Sequence, residues 1–373
     1  MRICFVSPEV FAWGYHGGFG FLTRTLGREL ANRGHEVSVV TVRRKGQGEI
    51  EELEGMKVYG FPGFKVGPRA IRAVASRIKS IEYYRRANAD IYHSEAVSYN
   101  TLVAERAMPN RPHVITFQDP YDIQEWRRIS QVDSRYRLTT AFRSRILIEN
   151  LLLSKACRGA TSLYAQAKFL IPKARRLFRL ESDPEFLPNP VAVPRRRLRK
   201  ADTPTVSFLA RWDPQKRVEL FLRLAEKFPG IEFVAMGRSH DPVTDANLRR
   251  QYSGIPNLNL TGFVSEGEKS KILELSWALV NTSVREALPV SFLEALAHET
   301  PILSGEDPDG ITTSYGYHVR DGDYAQALKN LLEDRSWREK GRLGRRYVEK
   351  VHEVNRVVDR HVEIYKGILK RRR

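Results

Sequence analysis

The sequence predicts an α/β protein of two consecutive domains, each a doubly wound parallel sheet, facing a cleft. Three observations carry that prediction. The chain opens on a strand, a glycine-rich loop, a helix and a second strand, the start of a parallel domain. The same alternation of short apolar runs and helical stretches resumes after a single break. At 373 residues the chain exceeds one ordinary domain of ~100–200 residues and fits two.

In order, residues 2–7 are a buried-strand candidate, and Gly14, Gly17, Gly18 and Gly20 crowd the loop that follows. Leu22, Leu26 and Leu30 then recur every four residues along one helix face, and Gly34 stops that helix as a C-cap. Residues 36–42 supply the second strand, with further strands expected at 90–93, 113–117 and 161–165. Between residues 182 and 204 the pattern breaks: Pro184, Pro188, Pro190, Pro194 and Pro204, with the basic run 195–200, mark a linker. Beyond it, strands are expected at 205–210, 231–236, 257–261, 277–281 and 301–304, and helices from Tyr324 to about residue 369. The expected domains are therefore 1–185 and 205–350, joined by 186–204 and followed by a terminal helical segment, 351–373.

Composition excludes several classes. With 42% hydrophobic and 28% charged residues the chain is globular rather than disordered. Two cysteines in apolar stretches, Cys4 and Cys157, suit a reducing compartment better than a disulfide scaffold. No apolar run approaches the ~18 residues of a membrane span. The run Ile3 to Val6 is too short for a signal-peptide core, so a cytoplasmic location is expected. The net charge of +18 is uneven: residues 1–180 hold 30 basic and 16 acidic side chains, residues 181–373 hold 32 and 28. A basic N-terminal half suits nucleic acid, an anionic membrane surface or a phosphorylated substrate.

The first glycine loop lacks the third small residue of a dinucleotide fingerprint, and the second strand ends in Arg43 and Arg44 where an acid would hold a ribose. The loop can still turn backbone N–H groups at a helix N-terminus toward an anion, although a plain strand–helix turn uses the same residues. In the second half, Arg211 follows a strand, and Asp213 and Pro214 read as an N-cap and first helical residue. Lys216 and Arg217 then fall in a first turn, where positive charge opposes the helix dipole. A bound diphosphate would explain that placement, and an exposed basic turn is the alternative. Farther on, Glu286 lies in the loop after the strand at 277–281, and Pro289 starts a helix that carries Glu294. Ligands of open α/β sheets bind at such strand ends. Two carboxylates flanking a helix N-terminus can accept from sugar hydroxyls while the amides hold phosphate. Glu286 alone could equally serve the helix dipole.

The spacing of Glu286 and Glu294 resembles the E-x7-E motif of the retaining family 4 glycosyltransferases of the GT-B fold, which has two Rossmann-like domains. The resemblance runs through most of the chain in register: Gly17 and Gly18, then Pro188, Asn189 and Pro190, then Arg211 with Lys216, then Gly262, Phe263 and Val264, then Glu286 to Glu294, and Thr300 with Pro301. It implies a metal-independent hexosyltransferase, with no cofactor and a UDP- or GDP-linked sugar as co-substrate. By resemblance Arg211 and Lys216 hold the donor diphosphate, Glu286 the transferred sugar, Glu294 the ribose and the backbone near Val264 the base. Gly17, Gly18, Ala287, Leu288 and Val290 complete the donor contacts. His93, Gln118 and Asp119 are the expected acceptor or sugar contacts in the first domain. The segment 351–373 is expected to return to that domain. The acceptor would be a glycan or lipid-linked molecule, and the basic half adds an anionic membrane surface on the inner face as a further partner. A helix over residues 69–86 would carry it, with Ile71, Val74, Ile78 and Ile81 on one face and Arg72, Lys79 and Arg86 on another. A second basic cluster spans 168–179.

Three segments depart from the family pattern. Ala287, Leu288 and Pro289 replace Gly-Phe-Gly, so one N–H donor is missing. Gln118 stands where a histidine is common and cannot act as an acid or base. Glu299 replaces a usual glycine. Two Asp-x-Asp matches, Asp307 with Asp309 and Asp321 with Asp323, sit among turn residues and are expected to be structural, with no metal. The rival function is nucleic-acid binding through the basic half, but no zinc-finger spacing or aromatic RNP motif accompanies it.

Overall fold

A computed structural model describes every residue except 11–16, 64–68, 334 and 373, and of residues 69–77 the backbone only. Gly14 and the side chains of Ile71, Arg72 and Val74 thus lie outside the described residues. The chain divides into two compact units, each discontinuous: one takes residues 1–122, 140–190 and 355–373, the other 123–139 and 191–354.

The first unit is an eight-stranded sheet. Its strands are β1 (Arg2–Val6), β2 (Glu36–Val42), β3 (Ile50–Leu53), β4 (Met56–Phe61), β5 (Ile91–Ser94), β6 (His113–Phe117), β7 (Ser162–Ala165) and β8 (Glu185–Phe186), in the order β3-β4-β2-β1-β5-β6-β7-β8. Only β3 runs antiparallel, hairpinned to β4. Helices α1 (Gly18–Asn32), α2 (Arg69–Ala87), α3 (Tyr99–Ala107), α5 (Thr140–Gly159), α6 (Leu170–Phe178) and α14 (Val354–Lys370) cover it. Leu22, Leu26 and Leu30 are buried as the periodicity predicts. Gly34 takes the left-handed conformation (φ 77°) that ends α1, with His35 N–H reaching back to the Leu30 carbonyl at 3.2 Å.

The second unit is a wholly parallel six-stranded sheet of β9 (Thr205–Leu209), β10 (Glu232–Met236), β11 (Leu258–Gly262), β12 (Ala278–Asn281), β13 (Ile302–Ser304) and β14 (Gly316–His318), ordered β11-β10-β9-β12-β13-β14. Its helices are α4 (Ile123–Val132), α7 (Val218–Lys227), α8 (Pro242–Tyr252), α9 (Glu266–Leu275), α10 (Val290–Ala297), α11 (Ile311–Tyr315), α12 (Tyr324–Glu333) and α13 (Ser336–Val351). The core gathers Val206, Phe208, Phe221, Phe233 and Val280 around Trp212 and Trp337. Running outward from β9, one series of strands goes each way. The switch point therefore lies between β9 and β12, and it is outside the carboxyl ends of such strands that ligands bind.

Two expectations change. The segment 186–204 is not a free linker: β8 joins the first sheet, and Val191 pairs with Glu353 inside the second unit. Residues 123–139 leave the first unit's grouping, because α4 is tied to the second by ion pairs of Glu125 with Arg285 (2.9 Å) and of Arg128 with Glu306. Both cysteines are free and buried, with thiols pushed up to about 12 by burial. No described helix is long and apolar enough to cross a membrane.

Candidate functional site

The two strands flanking the second unit's switch point end in the residues singled out above. After β9 the chain turns through a short 3₁₀ segment, Pro214–Lys216, and Arg217 is left-handed (φ 46°) before α7 begins at Val218. Lys216 and Arg217 therefore precede the α-helix rather than fill its first turn, which corrects the dipole argument for them. Arg217 Nε is spent on the Thr282 carbonyl at 2.7 Å. Lys216 Nζ instead reaches across the switch point to Glu286 Oε1 at 2.5 Å.

Glu286 gathers three donors on one oxygen: Lys216, Ser283 Oγ at 2.6 Å and Asn281 Nδ2 at 3.0 Å. Burial pushes its carboxyl up, but the Lys216 ammonium and the two neutral donors outweigh that and hold it below the ordinary carboxylate value. Four residues on, α10 begins with Pro289 as N-cap and no side-chain cap, leaving its first N–H groups without a side-chain acceptor. Glu294, inside α10, belongs to a different pair. Lys269 of α9 donates to its Oε1 at 2.5 Å, and burial nevertheless holds its carboxyl above the ordinary value. Lys269 was missed because nothing local marks a helical lysine as the partner of a glutamate 25 positions away.

Arg211 is 3.5 Å from Asp213 with its side chain 36% exposed, and among the described residues the cation paired with Glu286 is Lys216, not Arg211. Ala287 and Leu288 are buried, and Val290 is half-buried at the start of α10. Val264 is half-buried between β11 and the capping box of Ser265 and Glu268 that opens α9. Gly237, after β10, has φ 123°, and a Cβ there would meet the Ala210 carbonyl at 1.9 Å, so only glycine lets these strand ends close.

In the first unit the switch point lies between β1 and β5. Gly17 is the N-cap of α1, and a Cβ on it would lie 2.1 Å from Glu9 Oε1. That same oxygen accepts from Gly20 N–H at 3.1 Å. The anion at this helix N-terminus is thus the chain's own carboxylate. Gly18 is exposed, with space where a side chain would be.

His93 and Gln118 need a corrected account as ligand contacts. His93 is fully buried, its two nitrogens bonded to Tyr365 Oη (2.6 Å) and Thr116 Oγ1 (2.8 Å), and burial with the nearby His361 holds its pKa well below normal. Gln118 Nε2 donates to Glu95 Oε2 (3.1 Å) and Asn189 Oδ1 (2.9 Å), while its Oε1 accepts from Asn189 (2.9 Å). Both side chains hold the sheet edge together from within. Asp119, the next residue, is half-buried. Glu95 is buried, its Oε1 3.8 Å from His93 Nδ1 and without a hydrogen bond among the described residues, and burial raises its carboxyl to about 7. His93, Glu95 and His361 have ligand atoms within 4.8 Å of one another, the one such group among the described residues. No spacing rule could have paired histidines so far apart. Both His93 nitrogens and His361 Nδ1, on the Val357 carbonyl at 2.8 Å, are taken by protein partners. The Asp-x-Asp pairs are turn formers: Asp307 accepts from Thr313 and Asp323 from Ala325 and Gln326.

Each unit is thus a doubly wound α/β domain, and the second carries an ammonium–carboxylate pair at its switch point. A family model described as glycosyl transferases group 1 matches residues 193–343, and one described as glycosyltransferase family 4 matches residues 16–195. The chain is a glycosyltransferase of the GT-B fold. It is similar to sucrose-phosphate synthase from Thermosynechococcus elongatus at 16% identity, with 99% of each chain covered and a TM-score of 0.76. The glycosyltransferase WaaG of lipopolysaccharide biosynthesis matches at 15% identity, 98% of this chain, 100% of that one and a TM-score of 0.70. HepE from Anabaena, solved with UDP and glucose, matches at 12%, 98% and 99% with a TM-score of 0.70. Glycosyltransferase 1 domain-containing protein 1 of Xenopus tropicalis is 28% identical over 96 residues, 26% of this chain and 28% of that protein, so the match spans under a third of the relative's length.

Proposed function

We propose that the chain moves a hexose from a nucleoside-diphosphate sugar to an acceptor hydroxyl with retention of configuration, and that the second unit binds the donor. The observation that carries this reading is the Lys216–Glu286 pair across the β9/β12 switch point, beside the uncapped start of α10. An ammonium has three donors, so Lys216 can keep Glu286 and still hold a diphosphate oxygen. The α10 N–H groups add to that charge stabilisation. Glu286, kept ionised, accepts from hydroxyls of the transferred sugar. Arg211, more exposed, swings to the diphosphate when it arrives, and Glu294 receives the ribose. The transition state is oxocarbenium-like. With Glu286 engaged by the sugar's hydroxyls, the departing phosphate takes the acceptor proton on the same face. The donor is UDP- or GDP-linked and needs no metal. Asp119, half-buried beside the buried Gln118, is the acceptor contact.

The test is a thermal-shift screen of UDP, GDP and ADP against DNA and RNA, with and without EDTA. A rise with one nucleoside diphosphate, unchanged by EDTA and absent with nucleic acid at moderate salt, is expected. Stabilisation by nucleic acid alone would return the rival reading.

The acceptor is lipid-linked, at an anionic surface that the basic first half faces. Supporting this, Ile78 is 63% exposed on α2, and α5 exposes Leu147, Ile148, Leu151 and Leu152. Arg86, by contrast, pairs with Glu49 and is a weaker contact than its spacing implied. Replacement of Leu147 and Leu151 by Ser should release the protein from anionic vesicles in a sedimentation assay; unchanged pelleting counts against this surface.

A further inference from the structure

The basic run 195–200 takes no part in the donor half-site. It lines an open cavity of about 1180 Å³ in the second unit, shared with α13. Trp277 and Glu299 line it too and immediately precede β12 and the turn into β13, so the cavity lies at the amino-terminal edge of the sheet. Lys216 and Glu286 follow the carboxyl ends. The two places are on opposite edges.

Eight of the fourteen lining residues are cationic and two acidic, so the cavity is suited to an anion. Internal pairing accounts for only some of that charge. Arg196 is held by Glu274, Arg345 by Glu349 at 2.7 Å, and Arg199 faces Asp202 at 3.3 Å. Lys200 is committed to the Ser276 and His298 carbonyls and Thr300 Oγ1. Arg195, Arg197, Arg338 and Arg342 have no carboxylate partner among the described residues. Arg338, Arg342 and Arg345 recur at intervals of four and three along one face of α13, where like charges destabilise a helix. The facing wall is pinned: the Pro194 carbonyl accepts from Arg345 at 2.5 Å, Arg199 N–H donates to Glu274 at 3.1 Å, and Trp277 Nε1 donates to the Ala201 carbonyl at 2.8 Å. Trp277 stacks on Trp337 at 4.5 Å, stiffening the junction of the two walls. These contacts hold the two walls in place, so Arg195, Arg197, Arg338 and Arg342 stay close together on exposed side chains, and their planar forks match phosphate oxygens.

We propose that this cavity binds a ligand carrying two or more phosphate groups, held by Arg195 and Arg197 from one wall and Arg338 and Arg342 from the other. Such groups come from a soluble phosphate ester or from anionic lipid headgroups. The probe is inorganic tripolyphosphate, titrated calorimetrically into the full chain at ~150 mM salt, where long-range charge effects are screened. A Lys216→Ala background separates this site from the donor site. In that background tripolyphosphate should bind. Arg338→Gln with Arg342→Gln, or independently Arg195→Gln with Arg197→Gln, should weaken it by roughly tenfold or more. Neither pair should change nucleoside-diphosphate binding when Lys216 is intact. Displacement of bound tripolyphosphate by phosphatidylglycerol vesicles, with none by phosphatidylcholine, assigns the site to headgroups; no displacement by either assigns it to a soluble ligand. Absent binding in the Lys216→Ala protein, or an affinity that neither arginine pair lowers, overturns the proposal while leaving the donor reading intact.

Discussion

Glu286 and Glu294 sit eight positions apart, yet each meets a different ammonium, and their carboxyls are displaced in opposite directions. Glu286 is kept ionised by Lys216, Ser283 and Asn281, as suits a hydroxyl acceptor. Glu286→Gln should therefore lower kcat by roughly a hundredfold or more while nucleoside-diphosphate affinity holds within about threefold. Steady-state kinetics beside calorimetry checks this, and a wild-type kcat removes Glu286 from the reaction. Glu95 yields a prediction about stability. Its pKa is raised from 4.5 to about 7, so the folded state holds its proton more tightly. The stability this confers is complete below pH 4.5 and is lost as pH rises to 7. Glu95→Gln keeps the Gln118 contact and removes the charge, so it should stabilise the protein by about 1–3 kcal/mol at pH 8 and hardly at all at pH 4.5. Thermal melts at the two pH values would show it; an equal shift at both would mean another cause. Motif spacing singled out Glu286, Glu294 and Lys216, which the structure places in two ion pairs. It could not reveal that His93 and Gln118 are internal, because the partners that consume them, Tyr365 and Asn189, are remote in sequence.

Elements were legible where a period was long enough to read. The Leu22, Leu26 and Leu30 face became α1, and the expected strands fall within a residue or two of β1, β2, β5–β7 and β9–β13. The β3–β4 hairpin was missed because acidic residues interrupt its apolar run, and β8 and β14 are too short to show a period. The placement of α4 is a tertiary outcome, since no local pattern says which domain a helix will join. Close packing of α13 on α10 has a visible cause. A Cβ at Gly341 would lie 2.2 Å from the Glu299 carbonyl, and one at Gly344 would lie 2.5 Å from Leu296 Cδ2. Glu299 itself is left-handed (φ 57°), which explains why a glycine is usual there. Gly341→Ala should cost about 1–3 kcal/mol and lower the melting midpoint by roughly 2–10 °C. An unchanged midpoint would mean that α13 can shift without loss.

At the scale of the molecule, the second unit's strand order determines where chemistry can occur. A sheet ordered β11-β10-β9-β12-β13-β14 has one switch point, and the residues after β9 and β12 converge on it. Composition foretold the +18 charge but not how the second unit's cations are placed: Arg211 and Lys216 follow the carboxyl end of β9, and an arginine-lined cavity opens at the opposite edge of the sheet. If charge stabilisation of the leaving diphosphate is the main catalytic device, no metal is needed. Transfer should then persist in EDTA within about twofold, and a strict Mg²⁺ or Mn²⁺ requirement would return attention to Asp307 and Asp309. The central claim is that Lys216 holds that diphosphate. The most direct measurement is calorimetric titration of the matching nucleoside diphosphate and its nucleoside into wild type and Lys216→Ala. The substitution should weaken the diphosphate by roughly tenfold or more and leave the nucleoside unchanged. Equal diphosphate affinity in the two proteins would contradict it.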